Sequence, residues 1–397
     1  MKSFDLISPE GTKDLIMGDC AAVREVEERL HKIFRSGGYS EVITPGLEFY
    51  DVFNQKSRYF PQESMYKLTD TKGRLLVVRP DSTMPIARVV STRFREQPLP
   101  LRLYYSQNVF RNKPVMRGRS DEIRQTGIEL IGSASRRADI EVISSAIKVL
   151  ASCESENFRL EIGHIGFFKE LASALGADSD TIETIRSFIE VKNYPALNDL
   201  LDSFGDNAAA KALKQLPRLF GGIEVFDAAA GLFRDEKTEK VLSELKYIYT
   251  SICKAGYEGK ITIDLGLVNK MDYYTGIVIK GYLTGFGDAV ISGGRYDKLL
   301  SEYGYDVPAT GYAVNVDAVA KVIRMNKDYT PASADVIVFG EDGYETEAVL
   351  HCEKLSENGQ IAENSVFDSY EETVSYAKAK GIRTVVSVGS KITKETM

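Results

Sequence analysis

Apolar residues recur at helical spacing from Val23 through Val26, Leu30 and Ile33 to Phe34, predicting an amphipathic helix that Asp19 caps and that Gly37 and Gly38 stop. Beyond it the period shortens. Tyr39 to Pro45 reads as a strand ending in a proline, which suits an edge or an interface because it donates nothing to a ladder, and Leu47 to Phe53 reads as helical. Tyr66 to Asp70 and Arg74 to Arg79 form a hairpin across Thr71-Lys72-Gly73, and a helix is expected over Met84 to Arg95. Leu101 to Phe110 and Ile123 to Ile131 are strand-like arms, the second setting Ile128 and Leu130 against Gln125, Gly127 and Glu129. Asp139 to Ala151 suits a helix and Phe158 to Gly163 a strand. From Gly166 to about Gly256 the period is helical throughout, punctuated by Gly205, Pro217 and Gly221-Gly222. Strands return at Ile261 to Leu267, Ile277 to Tyr282, Ala289 to Ser292 and Thr310 to Val316, followed by a helix over Asp317 to Met325.

From Asp335 the rhythm changes to strand, helix, strand, helix, strand: Val336 to Phe339, Thr346 to Asn358, Ile361 to Asn364, Tyr370 to Lys380 and Arg383 to Val388, after Pro331 in a linker. That alternation predicts a small parallel sheet. The chain is therefore expected to divide at about 1–165, 166–255, 256–328 and 333–397, the second being a helical insert. A length of 397 residues allows two or three domains and a sizeable core.

The 50 basic and 57 acidic residues give a net charge of −7, so no global attraction to nucleic acid is expected, although a local basic groove stays open. Cys20, Cys153, Cys253 and Cys352 form no CxxC, and His31, His164 and His351 are scattered, which argues against a zinc site and against a disulfide scaffold. The first residues lack the apolar run of a signal peptide, and no stretch of 18 apolar residues occurs. A soluble cytoplasmic chain is expected, with no membrane, no metal and no cofactor.

The candidate chemistry centres on Phe110 to Gly132. Arg111, Lys113, Arg117, Arg119 and Arg124 line a loop bent by Pro114 and Gly118 and opposed by Asp121 and Glu122. Such a loop suits a phosphate or a carboxylate, or it is a solvated hairpin tip. Gln125 and Glu129 say more. Four residues apart at strand period, they point at one face. An amide and a carboxylate together are what a buried pocket needs to read an amino acid's ammonium and polar side chain, since unpaired polar groups are costly to bury. Asp81 could hold an ammonium with Thr83 beside it or cap the following helix, and the two roles are compatible. Gly293-Gly294, ahead of Arg295-Tyr296-Asp297, permits close backbone approach to a small ligand or makes a tight strand-to-helix turn. The leucines and alanines of the helical stretch read as core, without chemistry.

Taken in order, Pro9 to Asp14, the segment around Pro45, the hairpin with Phe110-Arg111, Gln125 and Glu129, Asp272-Tyr273-Tyr274, and Gly293 to Asp297 resemble the histidyl-tRNA synthetase catalytic core over roughly residues 6–325. The resemblance implies an α+β fold: a class II aminoacyl-tRNA synthetase-like antiparallel sheet flanked by helices. The core would come in two parts, 1–165 and 256–328, with 333–397 resembling an abbreviated anticodon-binding domain. It implies a histidine pocket of Asp81, Thr83, Arg111, Gln125, Glu129, Tyr273 and Tyr274, with Tyr296 nearby. Asp81 and Gln125 would hold the α-ammonium, and Glu129 and Tyr274 the imidazole. Asp81 is one methylene shorter than the family's usual glutamate. The segment near Pro45 implies a homodimer.

The activation machinery departs from the family. Adenylation adds negative charge in the transition state and demands fixed cations. The arginine expected three residues before Asp272-Tyr273-Tyr274 is Asn269, and the one expected in the last motif is Ala318, within Asn315-Val316-Asp317-Ala318. Each such loss typically costs about 10²–10³ in rate. A histidine pocket without activation residues resembles the ATP phosphoribosyltransferase regulatory subunits. In that family the chain, not itself an enzyme, assembles with a short-form catalytic subunit as a hetero-oligomer, supports the first step of histidine biosynthesis and allows allosteric feedback by histidine. The alternatives are a divergent histidyl-tRNA synthetase or histidine-adenylating ligase, with Lys270, Arg295 or Lys298 as a relocated cation, and a tRNA-binding module, which the acidic balance disfavours.

Overall fold

The computed structural model describes residues 6–54, 61–112, 120–153, 155, 157–268, 273–327, 329 and 333–397. Lys113, Pro114, Arg117, Gly118, Arg119, Asn269, Lys270, Asp272 and Pro331, which carry expectations above, lie outside the described residues. The chain forms two compact units, Met1–Asp328 and Tyr329–Met397.

In the first unit, α1 (Gly18–Ser36) buries Val23, Val26, Leu30 and Phe34. Met17 holds the cap position without a side-chain bond, so Asp19 is not the cap; it lies in the first turn and pairs with Arg324 instead. β1 (Ser40–Glu41) is followed by β2 (Leu47–Phe49), β3 (Lys67–Thr69) and β4 (Leu75–Val78), which form a three-stranded sheet in the order β2-β4-β3. The expected helix over Leu47 to Phe53 is thus a strand and a short 3₁₀ turn. Its burial alternates because Glu48 turns inward, and pairing with β4 overrides the local helical spacing. Glu48 meets Arg88 at 2.6 Å, on α2 (Thr83–Arg93).

The hairpin of β5 (Leu101–Phe110) and β6 (Glu122–Ile131) leads into α3 (Arg136–Ala151) and β7 (Phe158–His164). The helical stretch supplies α4 (Ile165–Leu175), α5 (Ser179–Glu190), α6 (Tyr194–Asp202) and α7 (Ala208–Gln215). It is not wholly helical, because β8 (Phe220–Gly221) pairs with the main sheet before α8 (Glu224–Leu232) and α9 (Glu236–Ile252). Then come β9 (Ile261–Asp264), β10 (Ile277–Leu283), β11 (Ile291–Arg295), β12 (Ala309–Asn315) and α10 (Val316–Asn326).

Among the described residues the main sheet has nine strands, ordered β1-β5-β6-β12-β11-β10-β7-β9-β8. Its central run from β5 to β7 is antiparallel, while β1 lies parallel to β5 at the edge, just ahead of Pro45. Helices α1, α3 and α10 pack against one face. Tyr312 of β12 points that way, its hydroxyl 2.8 Å from Ser145 on α3, and Ile128 stands beside it in register. Side chains alternate along a strand, so Gln125, Gly127 and Glu129, paired with Asn315, Ala313 and Gly311, face the other way.

Gly293 and Gly294 lie inside β11, so the tight-turn alternative does not hold. A Cβ on Gly293 would sit 2.4 Å from the Tyr312 Cβ, and one on Gly294 would be 2.8 Å from the Tyr274 ring. These glycines admit tyrosines from neighbouring segments.

The second unit is a sheet in the order β14-β13-β15-β16, with β13 (Val336–Gly340), β14 (Ala362–Asn364), β15 (Thr384–Val388) and β16 (Ile392–Thr396). The first three strands pair in parallel through α11 (Glu345–Glu357) and α12 (Tyr370–Lys380). Val336, Val338, Ala348, Cys352, Val386 and Val388 form one core layer, and Ala334, Ile337, Ala377, Ile382 and Val385 another. The antiparallel β16 was not expected, because it is exposed along its length and shows no apolar alternation.

Candidate functional site

On the face of the main sheet turned away from α3 lies a cavity of about 280 Å³, a volume fit for a small ligand. It is a trough crossing β6, β12, β11 and β10. In register across those strands stand Gly127, Ala313, Ser292 and Lys280, three strand spacings or about 14 Å from first to last.

Asp81, Thr83, Arg111, Gln125, Glu129, Tyr273, Tyr274 and Tyr296 all line this trough. Segments far apart in sequence bring them there. Asp81 and Thr83 sit at the N-terminus of α2, where Asp81 Oδ2 accepts from the Met84 N–H at 3.2 Å, so capping and lining coexist in one carboxylate. Arg79 fixes the approach to that turn. Buried, it donates to the carbonyls of Thr44 at 2.7 Å, Pro45 at 3.1 Å and Asn108 at 2.7 Å. Arg111, at the end of β5, donates to the Pro80 carbonyl at 2.7 Å and lies 3.5 Å from Asp81.

Glu129 is only 1% exposed. Thr83 donates to its Oε1 at 2.8 Å, and the Tyr296 hydroxyl donates to its Oε2. Ser82 donates to Gln125 at 3.3 Å. The Tyr273 ring lies 4.8 Å from Tyr274 and 5.7 Å from Tyr296, the latter edge to face. Lys169 of α4 donates to the Tyr274 carbonyl at 2.8 Å, so the helical stretch, read as bare core, does help to position the site.

Burial dominates the electrostatics. It raises the Asp81 carboxyl against the pull of Arg111. It pushes Glu129 up to about 8, with the Tyr296 and Thr83 hydrogen bonds opposing and the charge of Asp81 adding. The Tyr273, Tyr274 and Tyr296 phenols are raised by the same desolvation and stay neutral donors. Two acids, an amide and a set of phenols suit a small ligand with cationic and hydrogen-bonding groups.

Of the other nominated cations, Arg295 and Lys298 are placed elsewhere. Arg295 is buried against Asp139 of α3 at 2.9 Å, with Asp297 at 3.0 Å, and does not line the trough. Lys298 is exposed and lies 3.8 Å from Asp306. Ala318 lines a second chamber of about 230 Å³ with Lys13, Glu122, Asp288, Asp317 and Lys321. Sequence reasoning missed Arg79, Tyr105, Lys169 and Lys280. For Tyr105 a signal existed, since it pairs with Gly127 across the hairpin and so shares the face of Gln125 and Glu129.

A family model for histidyl-tRNA synthetase matches residues 11–319. An ATP phosphoribosyltransferase regulatory subunit from Clostridium kluyveri is 40% identical over 379 residues, covering 94% of this chain and 97% of that protein. One from Clostridium novyi is 38% identical, covering 98% and 94%. The crystal structure of an ATP phosphoribosyltransferase regulatory subunit/histidyl-tRNA synthetase from Bacillus halodurans matches with a TM-score of 0.86 at 29% identity, over 98% of this chain and 100% of that one. A histidyl-tRNA synthetase from Nostoc matches at 0.80 and 18% identity, over 99% and 97%, a likeness of fold.

Proposed function

The chain belongs to the ATP phosphoribosyltransferase regulatory subunits, a family built on the histidyl-tRNA synthetase fold, and from that premise we propose that it is the histidine-sensing, non-catalytic partner of a short-form catalytic subunit. In this reading it supports the first step of histidine biosynthesis from the cytoplasm and brings feedback to it. Free histidine occupies the near end of the trough, its ammonium between Asp81 and Gln125 and its imidazole between Glu129 and Tyr274. Histidine shifts the assembly by binding one state more tightly, with a coupling typically of about 1–3 kcal/mol.

The observation that carries the reading is the gathering of Asp81, Thr83, Gln125, Glu129 and the three tyrosines on one cavity, while Arg295 and Lys298 are engaged away from it. The neighbouring chamber sets Glu122, Asp288 and Asp317 against Lys13 and Lys321, a poor setting for a polyphosphate. A homodimer is part of the proposal. Leu47, Phe49, Leu76 and Val78 share one face of the three-stranded sheet through the pairs Leu47↔Val78 and Phe49↔Leu76. Leu47 is 48% and Phe49 44% exposed, an apolar face that a second copy would cover.

Calorimetric titration with histidine, with and without the short catalytic subunit, tests the sensor. Binding without histidine-dependent ATP–pyrophosphate exchange is expected. Exchange at an appreciable rate would instead make the chain an activating ligase, and sedimentation as a monomer would remove the dimer.

A further inference from the structure

Glu129 is held by a chain of hydroxyls that reaches behind the cavity wall. Thr83 and Tyr296 contact its two oxygens, and the Tyr105 hydroxyl hydrogen-bonds Thr83 in turn. Glycines make the room. A Cβ on Gly127 would lie 2.5 Å from the Tyr105 hydroxyl, and one on Gly311 would lie 2.0 Å from Glu129 Oε2. Among the described residues, the titratable groups around Glu129 are Asp81 from the start of α2, Tyr105 from β5, Arg111 just after it, Tyr273 and Tyr274 from the segment before β10, and Tyr296 after β11, while β12 sets Gly311 opposite it in register. Arg111 is engaged by Asp81 and the Pro80 carbonyl, and among the described residues no cation is a principal influence holding Glu129 ionised. Two buried carboxyls share this site, and each makes ionisation of the other harder. A hydroxyl accepts as readily as it donates, so either neighbour accommodates a protonated Glu129.

On the histidine-pocket reading above, we propose that Glu129 meets its ligand as a neutral acid and that the proton it carries selects an imidazole. One O–H bond breaks at Glu129 and one N–H bond forms at the ring's unprotonated nitrogen, leaving a carboxylate beside an imidazolium with nothing lost to solvent. A ligand whose cation is already complete, such as lysine or arginine, must expel that proton and is disfavoured at neutral pH. In alkaline solution the empty site has already lost its proton, so each histidine must bring one in. Affinity then falls about tenfold per pH unit, beyond any loss caused by the ligand's own ammonium.

The test is calorimetric titration of the full chain with histidine at pH 7 and 8, in buffers of different ionisation enthalpy, for wild type, Glu129→Gln and Tyr296→Phe. Wild type is expected to exchange almost no proton at pH 7 and to take up about half a proton per histidine at pH 8. Glu129→Gln should lose that uptake. Tyr296→Phe keeps the acid but removes a donor to it, so its uptake should move to higher pH, which decides the matter even if the glutamine variant binds too weakly to measure. Equal proton uptake at both pH values in wild type, or wild-type behaviour in both variants, overturns the proton matching while leaving the pocket in place. A wild-type chain that binds no histidine overturns the pocket reading and this inference with it.

Discussion

At the near end of the trough Asp81 and Glu129 are buried among phenols, 4% and 1% exposed. In the adjoining chamber the charges of Lys13, Asp288 and Lys321 stand exposed. Both ends use the same strands and share Ile123, Asp288, Ala289 and Asn315 as lining. The difference is therefore one of solvent and charge. A carboxylate removed from water interacts strongly with whatever enters beside it, whereas exposed charges of mixed sign largely cancel and are screened. One sheet thus carries a buried polar pocket at one end, while among the described residues the other end sets lysines against carboxylates.

The largest expected effect tests whether a cation has been recruited back to the trough. Arg295→Ala would leave Asp139 buried and uncompensated, costing about 3–5 kcal/mol in denaturant unfolding, with the histidine affinity of the folded chain unchanged. Weaker binding with unaltered stability would place Arg295 in the site and break the contrast. Next comes Glu129→Ala, expected to lower histidine affinity by about 2–4 kcal/mol, because a polar ligand group would be buried without a partner. The pH dependence sharpens this. The carboxyl of Glu129 rises from 4.5 to about 8 on folding. The native state therefore holds the proton more tightly than the unfolded one, and stability falls as pH rises between those values. Glu129→Gln removes that loss, so the unliganded variant should exceed wild type at pH 8 by a few kcal/mol and match it near pH 4. Asp81→Asn should weaken histidine by about 1.5–2 kcal/mol and leave melting nearly unchanged, since asparagine still accepts from the Met84 N–H. Lost melting temperature with intact binding would reduce Asp81 to a helix cap.

The near end was legible because strand alternation is local. The spacing of Gln125 and Glu129 put both on one face, and β5 and β6 lie where their apolar content placed them. What failed depended on partners far along the chain. The inward turn of Glu48 toward Arg88, forty residues on, makes β2 a strand, and Asp19 answers Arg324 rather than its own helix. Lys169 acts at one remove, through a carbonyl, and no short sequence window carries that signal, whereas Tyr105, acting through a hydroxyl, could be found only by reading the hairpin register across to Gly127. The glycines of β11 could be read as turn or close approach until the structure set Tyr274 and Tyr312 against them.

The smallest expected effect bears most directly on whether the two ends are one site. Lys321 lies on α10 beside Asp317 and Ala318, exposed at the mouth of the second chamber. In water two unit charges even 4 Å apart interact by only about 1 kcal/mol, and at physiological salt the field is largely gone beyond about 8 Å. Lys321 lines the outer chamber and not the trough, and Glu129 the trough and not the outer chamber, although the two share part of their walls. Lys321→Ala should therefore change histidine affinity by less than about twofold, a few tenths of a kcal/mol, at both low and high salt. A tenfold loss that salt abolishes would mean that the outer lysine contributes to holding the ligand's carboxylate. The two chambers would then form a single electrostatic site, and the separation of a buried pocket from a solvated chamber would fail.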